Sequence, residues 1–122
     1  NLLLDTHVAL WGITADSTLD DEFLDPPHDP DIFLSTVTLW EITIKQTAGK
    51  LGGPPDLAER VRDMGFRELP ITHTHCIGAG RLPVHHRDPF DRMLVAQARV
   101  EGLTLVTRDS DIQKYDVDLL IL

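Results

Sequence analysis

The sequence predicts an α/β fold in which helices cover both faces of a central parallel sheet. Short apolar runs recur along the chain, and they are mostly continuous rather than alternating, as in strands that are buried on both faces. Helical segments separate these runs, so strands and helices alternate. Polar residues end three of the runs, at Asp5, Ser35 and Asp109. They are expected at a common crevice, because the carboxyl ends of parallel strands share one edge of the sheet.

Five segments predict the strands. They are NLLLD at the start of the chain, DIFLS ending at Ser35, FRELPI near the middle, LTLVTRD ending at Asp109, and DLLIL at the end. Short apolar runs bounded by turn-forming residues are typical of strands rather than of helices. Because one sheet draws on all of them, the proline-rich stretch DPPHDPD is expected to be a loop. We therefore expect a single domain over residues 1–122.

Six segments predict helices. They are residues 6–12, 17–24, 36–48, 56–64 and 73–81, and the segment that begins at Asp88. The third has many apolar residues and ends before Gly49, a common stop signal. The fifth is the weakest, because Gly78 and Gly80 disfavour a helix. The last is the strongest, because Asp88 is a good N-cap and Pro89 suits the first helical position.

Composition and charge restrict the classes of protein that the chain can represent. Of its 122 residues, 42% are hydrophobic and 25% are charged, as in an ordinary globular domain. No apolar run approaches the roughly 18 residues of a membrane span, so we expect no membrane association. The single cysteine, Cys76, excludes an intrachain disulfide and favours a cytoplasmic location. The net charge of −9 means that a phosphate ligand needs clustered basic residues or a metal ion.

Four acidic residues have both a structural and a chemical interpretation. They are Asp5, Glu41, Asp91 and Asp109. Individually, the aspartates suit helix ends, and Glu41 suits a surface pair with Lys45 at i+4. Gathered at one site, carboxylates about 4 Å apart repel by about 4 kcal/mol per pair at an effective dielectric of about 20. Protonation or a divalent cation relieves this repulsion, and oxygen donors suit Mg²⁺ or Mn²⁺, which commonly carry out phosphoryl chemistry.

Four segments resemble the signature segments of PIN-domain proteins of the VapC toxin type. In order, they are LLLDTHVALW, STVTLWEITIKQTAGKL, LPVHHRDPFDRMLVAQA and LVTRD, so the resemblance covers essentially the whole chain. It implies a PIN-like three-layer α/β/α domain around a parallel sheet. It also implies a Mg²⁺- or Mn²⁺-dependent endoribonuclease from a bacterial toxin–antitoxin pair. By position, its metal-binding and catalytic acids are Asp5, Glu41, Asp91 and Asp109, with Asp111 as the alternative fourth acid.

Hydroxyl and basic residues near the acids are candidates for supporting roles. The resemblance implies that a hydroxyl of Thr6 or Thr107 supports the acidic cluster. Basic side chains beside the acids suit phosphate binding, although charge balance explains the arginines equally well. The candidate substrate-binding residues are Thr6, Lys45, Arg87, Arg92, Thr107 and Arg108.

The histidines and tryptophans have weaker functional interpretations. Two histidine pairs, at positions 73 and 75 and at positions 85 and 86, are expected in loops or helix caps. They do not predict a zinc site, because no cysteine pattern accompanies them. Trp11 and Trp40 are expected in the core or on a dimer face.

Two other functions remain open. An aspartate-nucleophile phosphatase would suit Asp5 at a strand end, but His7 stands where the usual second aspartate belongs. A catalytically inactive PIN-like binding module is the other alternative, and the full set of four acids argues against it. For the nuclease, the expected partners are RNA, a cognate VapB-like antitoxin and a second copy of the chain in a homodimer. The acidic charge further predicts basic residues in the antitoxin segment that wraps this chain.

Overall fold

A computed structural model describes residues 1–14, 31–85 and 87–122. Within these ranges the chain forms five strands, five α-helices and one short 3₁₀ turn. The strands are β1 (Leu2–Leu4), β2 (Ile32–Ser35), β3 (Arg67–Leu69), β4 (Thr104–Thr107) and β5 (Leu119–Ile121). The helices are α1 (Thr6–Thr14), α2 (Thr36–Thr47), α3 (Leu57–Arg62), α4 (His73–Gly80) and α5 (Pro89–Glu101), and the 3₁₀ turn is Ile112–Lys114.

The five strands form one parallel sheet in the order β3-β2-β1-β4-β5. The first strand lies in the middle, where Leu3 pairs with Phe33 on one side and Leu105 on the other. Neighbouring residues along a strand face opposite sides, so Leu3 belongs to one hydrophobic cluster and Leu4 to another. The two clusters bury both faces of the sheet, which explains the continuous apolar runs.

Helices cover the two faces and produce the predicted three layers. The cluster of Leu3 includes Leu94 and Val95 of α5 and Ala79 of α4. The cluster of Leu4 includes residues of α1, α2 and α3, among them Ile42. The prediction of an α/β fold with a central parallel sheet in a three-layer α/β/α domain is therefore confirmed. Within the described ranges, no helix is long and apolar enough to cross a membrane.

Local capping explains where α2 and α5, the helices that carry Glu41 and Asp91, begin, and where α5 ends. At the start of α2, the Ser35 side chain accepts a hydrogen bond from the Val37 amide. At the start of α5, Asp88 accepts from the Phe90 amide, and a proline occupies the first turn. The last helix ends at Gly102, whose φ of 68° is the left-handed conformation that glycine adopts most easily. The predicted segment 36–48 agrees closely with α2, and the predicted start at Asp88 agrees with the beginning of α5.

Three predicted helices differ from the structure in extent or in coverage. Helix α1 continues to Thr14, beyond the predicted segment 6–12, and α3 spans only Leu57–Arg62 within the predicted segment 56–64. Asp56 occupies the N-cap position of α3, although its side chain makes no cap hydrogen bond, and the helix begins at Leu57. The predicted helix at residues 17–24 lies outside the described residues, and so does most of the loop DPPHDPD.

The weakly predicted helix α4 is held in place by its packing on α5. A Cβ atom on Gly78 would lie 3.7 Å from the Cβ of Ala96, so the glycine belongs to the contact between the two helices. Arg92 of α5 donates hydrogen bonds to the carbonyls of Ala79 and Leu82, at the end of α4 and just beyond it. Tertiary contacts thus compensate for the low helix propensity of the glycines.

Candidate active site at the carboxyl edge of the sheet

Asp5 is a buried carboxylate at the end of the central strand. Its side chain receives hydrogen bonds from the Val8 amide at 2.8 Å and the Thr107 hydroxyl at 2.5 Å, and the residue is only 3% exposed. Burial raises the pKa of the Asp5 carboxyl above its ordinary value, and the nearby Asp109 raises it further. The two hydrogen bonds and His7 oppose this rise in pKa without cancelling it. Asp5 is thus both the cap of α1 and an incompletely compensated buried acid.

Glu41 is a second buried carboxylate, and it reaches the same region from α2. It is 2% exposed, and it accepts a hydrogen bond from the Thr6 hydroxyl at 2.6 Å and one from the Lys45 ammonium at 2.5 Å. The i+4 pair expected from the sequence is therefore present, but it lies at a buried acid rather than at the surface. The ammonium of Lys45 is the cation that directly contacts the carboxylate of Glu41.

Asp91 lies in the first turn of α5 and acts electrostatically on the Glu41–Lys45 pair. The pKa of Lys45 is raised mainly by its hydrogen bond to Glu41, and further by attraction to Asp88 and Asp91, while partial burial opposes the change. Asp91 itself is half-buried. The ammonium of Lys45 is therefore attracted by three acids, namely Glu41 on α2 and Asp88 and Asp91 at the start of α5.

Asp109 follows β4 and connects to Asp5 through one threonine. Its amide donates to the Thr107 hydroxyl oxygen at 2.9 Å, and that hydroxyl donates to Asp5. Asp109 in turn accepts a hydrogen bond from the amide of Asp111 at 2.8 Å. The carboxylate of Asp111 instead contacts Lys114 at 3.1 Å, in an exposed ion pair. These contacts favour Asp109 over Asp111 as the acid that belongs to the site.

Two threonines link three of the four acids. Thr107 links Asp5 to Asp109, while Thr6, the residue after Asp5, links the end of β1 to Glu41. Thr38, with its hydroxyl 3.3 Å from that of Thr6, was not among the candidates chosen from the sequence. Its spacing of three residues before Glu41 on α2 is the signal that could have identified it, because such residues share a helix face.

The oxygen donors of the site are of the kind that a hard divalent cation binds, but the acids are not gathered around a common point. Carboxylate and hydroxyl oxygens suit Mg²⁺ or Mn²⁺ rather than zinc. Among the described residues, however, no three His, Cys, Asp or Glu side chains form a ready metal-binding group. Glu41 instead contacts Thr6 and Lys45. To surround an ion, these side chains would have to move, and Lys45 would have to share or release Glu41.

Comparison with known proteins identifies the family. The family model of the PIN domain matches residues 2–118. The chain belongs to the PIN domain family. None of the curated proteins matches this sequence significantly.

Solved structures share the fold of this PIN domain at low sequence identity. DNA-bound VapBC from Salmonella typhimurium matches with a TM-score of 0.75 and 18% identity over 99% of this chain and 97% of that chain. VapBC2 from Rickettsia felis, bound to a promoter DNA fragment, gives 0.73 and 14% over 98% and 97%. VapBC-5 from Mycobacterium tuberculosis gives 0.63 and 21% over 98% and 97%. At these identities the likeness establishes the fold, including its three layers.

The basic candidates of the PIN domain fall into different environments. Arg92 donates hydrogen bonds to the carbonyls of Ala79, Leu82 and Pro83 and to the Tyr115 hydroxyl, at 2.9 to 3.3 Å. These contacts give its guanidinium a structural role, and nothing in them favours phosphate binding.

The other two arginines are exposed and make no ion pair with a described residue. Arg87 precedes Asp88, the cap of α5. The guanidinium carbon of Arg108 lies 3.9 Å from the centre of the Trp11 ring.

The histidines are consistent with the structural roles expected from the sequence. His75 is buried and completes the cap of α4, since its Nδ1 accepts a hydrogen bond from the Thr72 amide. Its Nε2 therefore carries the hydrogen and donates it to Glu101 at 2.7 Å. His85 packs edge-on against Tyr115, with ring centres 4.8 Å apart. His86 lies outside the described residues.

Trp40 is the clear exception to the core assignment of the tryptophans. It is 60% exposed and packs edge-on against Phe90, with ring centres 5.5 Å apart. The expectation that Trp40 is a core residue is therefore wrong, because its side of α2 faces away from the sheet. Its place on a dimer face stays a prediction. Trp11, by contrast, is half-buried against the cluster of Leu4.

Proposed function

We propose that this PIN domain is a Mg²⁺- or Mn²⁺-dependent endoribonuclease and the toxin of a toxin–antitoxin pair. The observation that supports it best is the connection between two buried carboxylates, Asp5 and Glu41. Thr6, the residue directly after Asp5, donates a hydrogen bond to Glu41. Burying an incompletely compensated acid such as Asp5 is unfavourable, so its presence favours a functional role. The resemblance of the four sequence segments to VapC-type proteins, and the VapBC structures that share this fold, support the toxin role.

The chain's own residues would hold the ion and orient the phosphate. Asp5, Glu41, Asp91 and Asp109 are the proposed ligands, directly or through water. When bound, the ion supplies an activated water and a positive charge on the phosphate oxygens. The Thr107 hydroxyl holds the orientation of Asp5 at the end of β1. Lys45 pairs with Glu41 and offsets its charge.

The test is sequencing of the RNA ends that the pure protein produces with Mg²⁺ and with a chelator. Asp5→Asn and Asp91→Asn should each abolish cleavage while the fold is retained. Asp63→Asn is the matched control, because Asp63 is an exposed acid on the surface that pairs with Arg62. Near-wild-type cleavage by either site variant at saturating Mg²⁺ would show that the acid is not part of the site.

A catalytically inactive binding module is the second candidate. The specific observation in its favour is the open arrangement of the acids, with Lys45 in contact with Glu41. A titration with Mg²⁺ or Mn²⁺ followed by thermal denaturation separates the two functions. The nuclease should be stabilised by the ions at concentrations that also support cleavage. The inactive module should show neither stabilisation nor cleavage when the ions are added.

The proposal also includes a cognate antitoxin and a homodimer. The solved structures that share this fold include toxin–antitoxin complexes. The charge of −9 suits a partner segment with exposed arginine or lysine. Light scattering of the isolated chain, and co-purification with the product of an adjacent gene, test the two assemblies separately.

A further inference from the structure

A stacked pair of side chains lies beside the acidic network. Arg108 follows Thr107 and precedes Asp109, and its guanidinium carbon lies 3.9 Å above the centre of the Trp11 ring. Trp11 belongs to α1, the helix that Asp5 caps. The Trp11 ring therefore holds the Arg108 guanidinium on the α1 side of the sheet edge where Asp5 and Asp109 lie. Stacking of this kind fixes a cation in position without neutralising its charge.

The side chain of Arg108 is exposed, and among the residues that the structure describes no acid forms an ion pair with it. Other arginines differ: Arg60, Arg62 and Arg67 each contact an aspartate. With its face against the indole, a guanidinium keeps its N–H groups free at its edge, where they can bind two oxygens of one anion.

We propose that Arg108, held by Trp11, binds a backbone phosphate of single-stranded RNA next to the bond that is cleaved. The inference rests on the proposed function and names one contact of the same site. A polyanion approaching this acidic chain is repelled by the carboxylates of Asp5 and Asp109, so a fixed cation at their rim offsets that repulsion. Arg108 is then a substrate-binding residue, and Trp11 is a positioning residue.

The first test measures RNA affinity and its dependence on salt. The probe is a short fluorescent single-stranded RNA, with Ca²⁺ in place of Mg²⁺ to hold the strand without cleavage. Arg108→Gln should raise Kd about tenfold, as expected for one charge-assisted hydrogen-bonded contact. It should also reduce the slope of log Kd against log salt by about 0.7, the value for one phosphate of a single strand.

The second test separates positioning by Trp11 from simple packing. Trp11→Leu should weaken RNA binding by roughly threefold, because the cation–π contact that orients Arg108 is lost. Its salt slope should stay at the wild-type value, because the charge remains. Trp11→Tyr should restore most of the affinity, since it keeps an aromatic face. A loss that follows the melting temperature of the variants instead would assign Trp11 a structural role alone.

Arg67 provides the matched control. Its guanidinium carbon also lies over an aromatic ring, 5.3 Å from the centre of Phe33, but it contacts Asp31 at 2.7 Å. It starts β3, at the amino end of the strand, away from the acids. Arg67→Gln changes the net charge as Arg108→Gln does and should leave Kd and salt slope unchanged. Equal losses in the two variants would overturn the inference in favour of a long-range charge effect.

The outcomes distinguish this inference from the proposed function. A wild-type protein that neither binds nor cleaves RNA overturns both. A wild-type protein that cleaves RNA while Arg108→Gln keeps its affinity and salt slope overturns the inference alone. If Arg108→Gln keeps RNA affinity but no longer retains a co-purified antitoxin, the pair belongs to a protein interface and the phosphate role is rejected.

Discussion

The Thr107 hydroxyl donates a 2.5 Å hydrogen bond to the carboxylate of Asp5, a residue 102 positions earlier in the chain. The two residues lie at the ends of β1 and β4, which are neighbours in the parallel sheet. The same hydroxyl oxygen accepts from the Asp109 amide, so one side chain orders two acids. The contact places the candidate active site at the carboxyl edge of the central strands, as open α/β sheets generally do.

Replacing Asp5 should reveal that its charge opposes folding. Its folded-state pKa lies above the unfolded value of about 3.9, so the ionised form destabilises the protein. The loss of stability caused by ionised Asp5 begins as the pH rises through the unfolded pKa and is complete above the folded pKa. Asp5→Asn should therefore not lower the melting temperature at pH 7 in chelator, and any gain over wild type should vanish in acid.

Asp63→Asn is the control of opposite sign. Its hydrogen bond to Arg62 lowers the pKa of the exposed Asp63 carboxyl. That contribution is present above the unfolded pKa and is lost as the pH falls through the folded one, so the control should leave stability at pH 7 unchanged or slightly reduced. A larger loss at pH 7 in Asp5→Asn than in Asp63→Asn would contradict the interpretation of Asp5 as an uncompensated acid.

Lys45→Met should destabilise the metal-free protein and increase its response to metal. The substitution leaves the buried carboxylate of Glu41 without its cation, at a cost of about 2 kcal/mol in unfolding free energy. Mg²⁺ should recover part of this loss. The rise in melting temperature on adding Mg²⁺ should therefore be larger for Lys45→Met than for wild type. Lys114→Met is the control, since it breaks an exposed pair with Asp111 and should cost about 0.5 kcal/mol or less. Equal losses in urea denaturation would refute the role of burial.

Asp109 should matter more than Asp111 for metal binding. Asp109 joins the network through Thr107, whereas the Asp111 carboxylate contacts Lys114. Calorimetric titration of the two single alanine variants with Mn²⁺ measures the difference directly. We expect about tenfold weaker binding for Asp109→Ala, the lower end of the losses seen when metal-site groups are removed. A greater loss in Asp111→Ala would transfer the fourth position to Asp111.

Arg92→Met should lower stability more than a matched change elsewhere on the same helix. It removes hydrogen bonds to three backbone carbonyls and the Tyr115 hydroxyl, and leaves partly buried acceptors unsatisfied at a cost of about 3 kcal/mol. Arg99 lies on α5 and is exposed, so Arg99→Met should change the unfolding free energy by about 0.5 kcal/mol or less. If RNA affinity falls in Arg92→Met while stability is unchanged, Arg92 is a phosphate ligand after all.

The antitoxin should inhibit by inserting a cation among the acids. An arginine of the partner can bind Asp5, Glu41, Asp91 or Asp109 in bidentate fashion, in place of a metal ion. Changing the basic residues of the partner to alanine one at a time should restore ribonuclease activity within the intact complex in at least one case. Affinity should fall only modestly with salt, because apolar contacts carry most of it. If no variant restores activity, blocking of the RNA path is the better explanation.

Much of the fold and part of the site were predictable from local patterns. The apolar runs predicted the strands, and Ser35, Asp88 and Gly102 occupy the helix ends that such residues favour. The positions of Asp5 and Asp109 at or just beyond the ends of apolar runs predicted their common edge. These features depend on residues near one another in sequence, so hydrophobic spacing and capping chemistry suffice to identify them.

Tertiary structure alone decided which side chains meet. It buried Glu41 and paired it with the partly exposed Lys45, although the i+4 spacing by itself describes a surface pair equally well. It directed Arg92 to the carbonyls that end α4, stacked Arg108 on Trp11, and left Trp40 exposed. An arginine or a tryptophan beside an acidic segment can occupy any of these environments, and the local sequence does not distinguish them. Its partner is set by how helices pack on the sheet, because the contacting groups come from elements far apart in the chain.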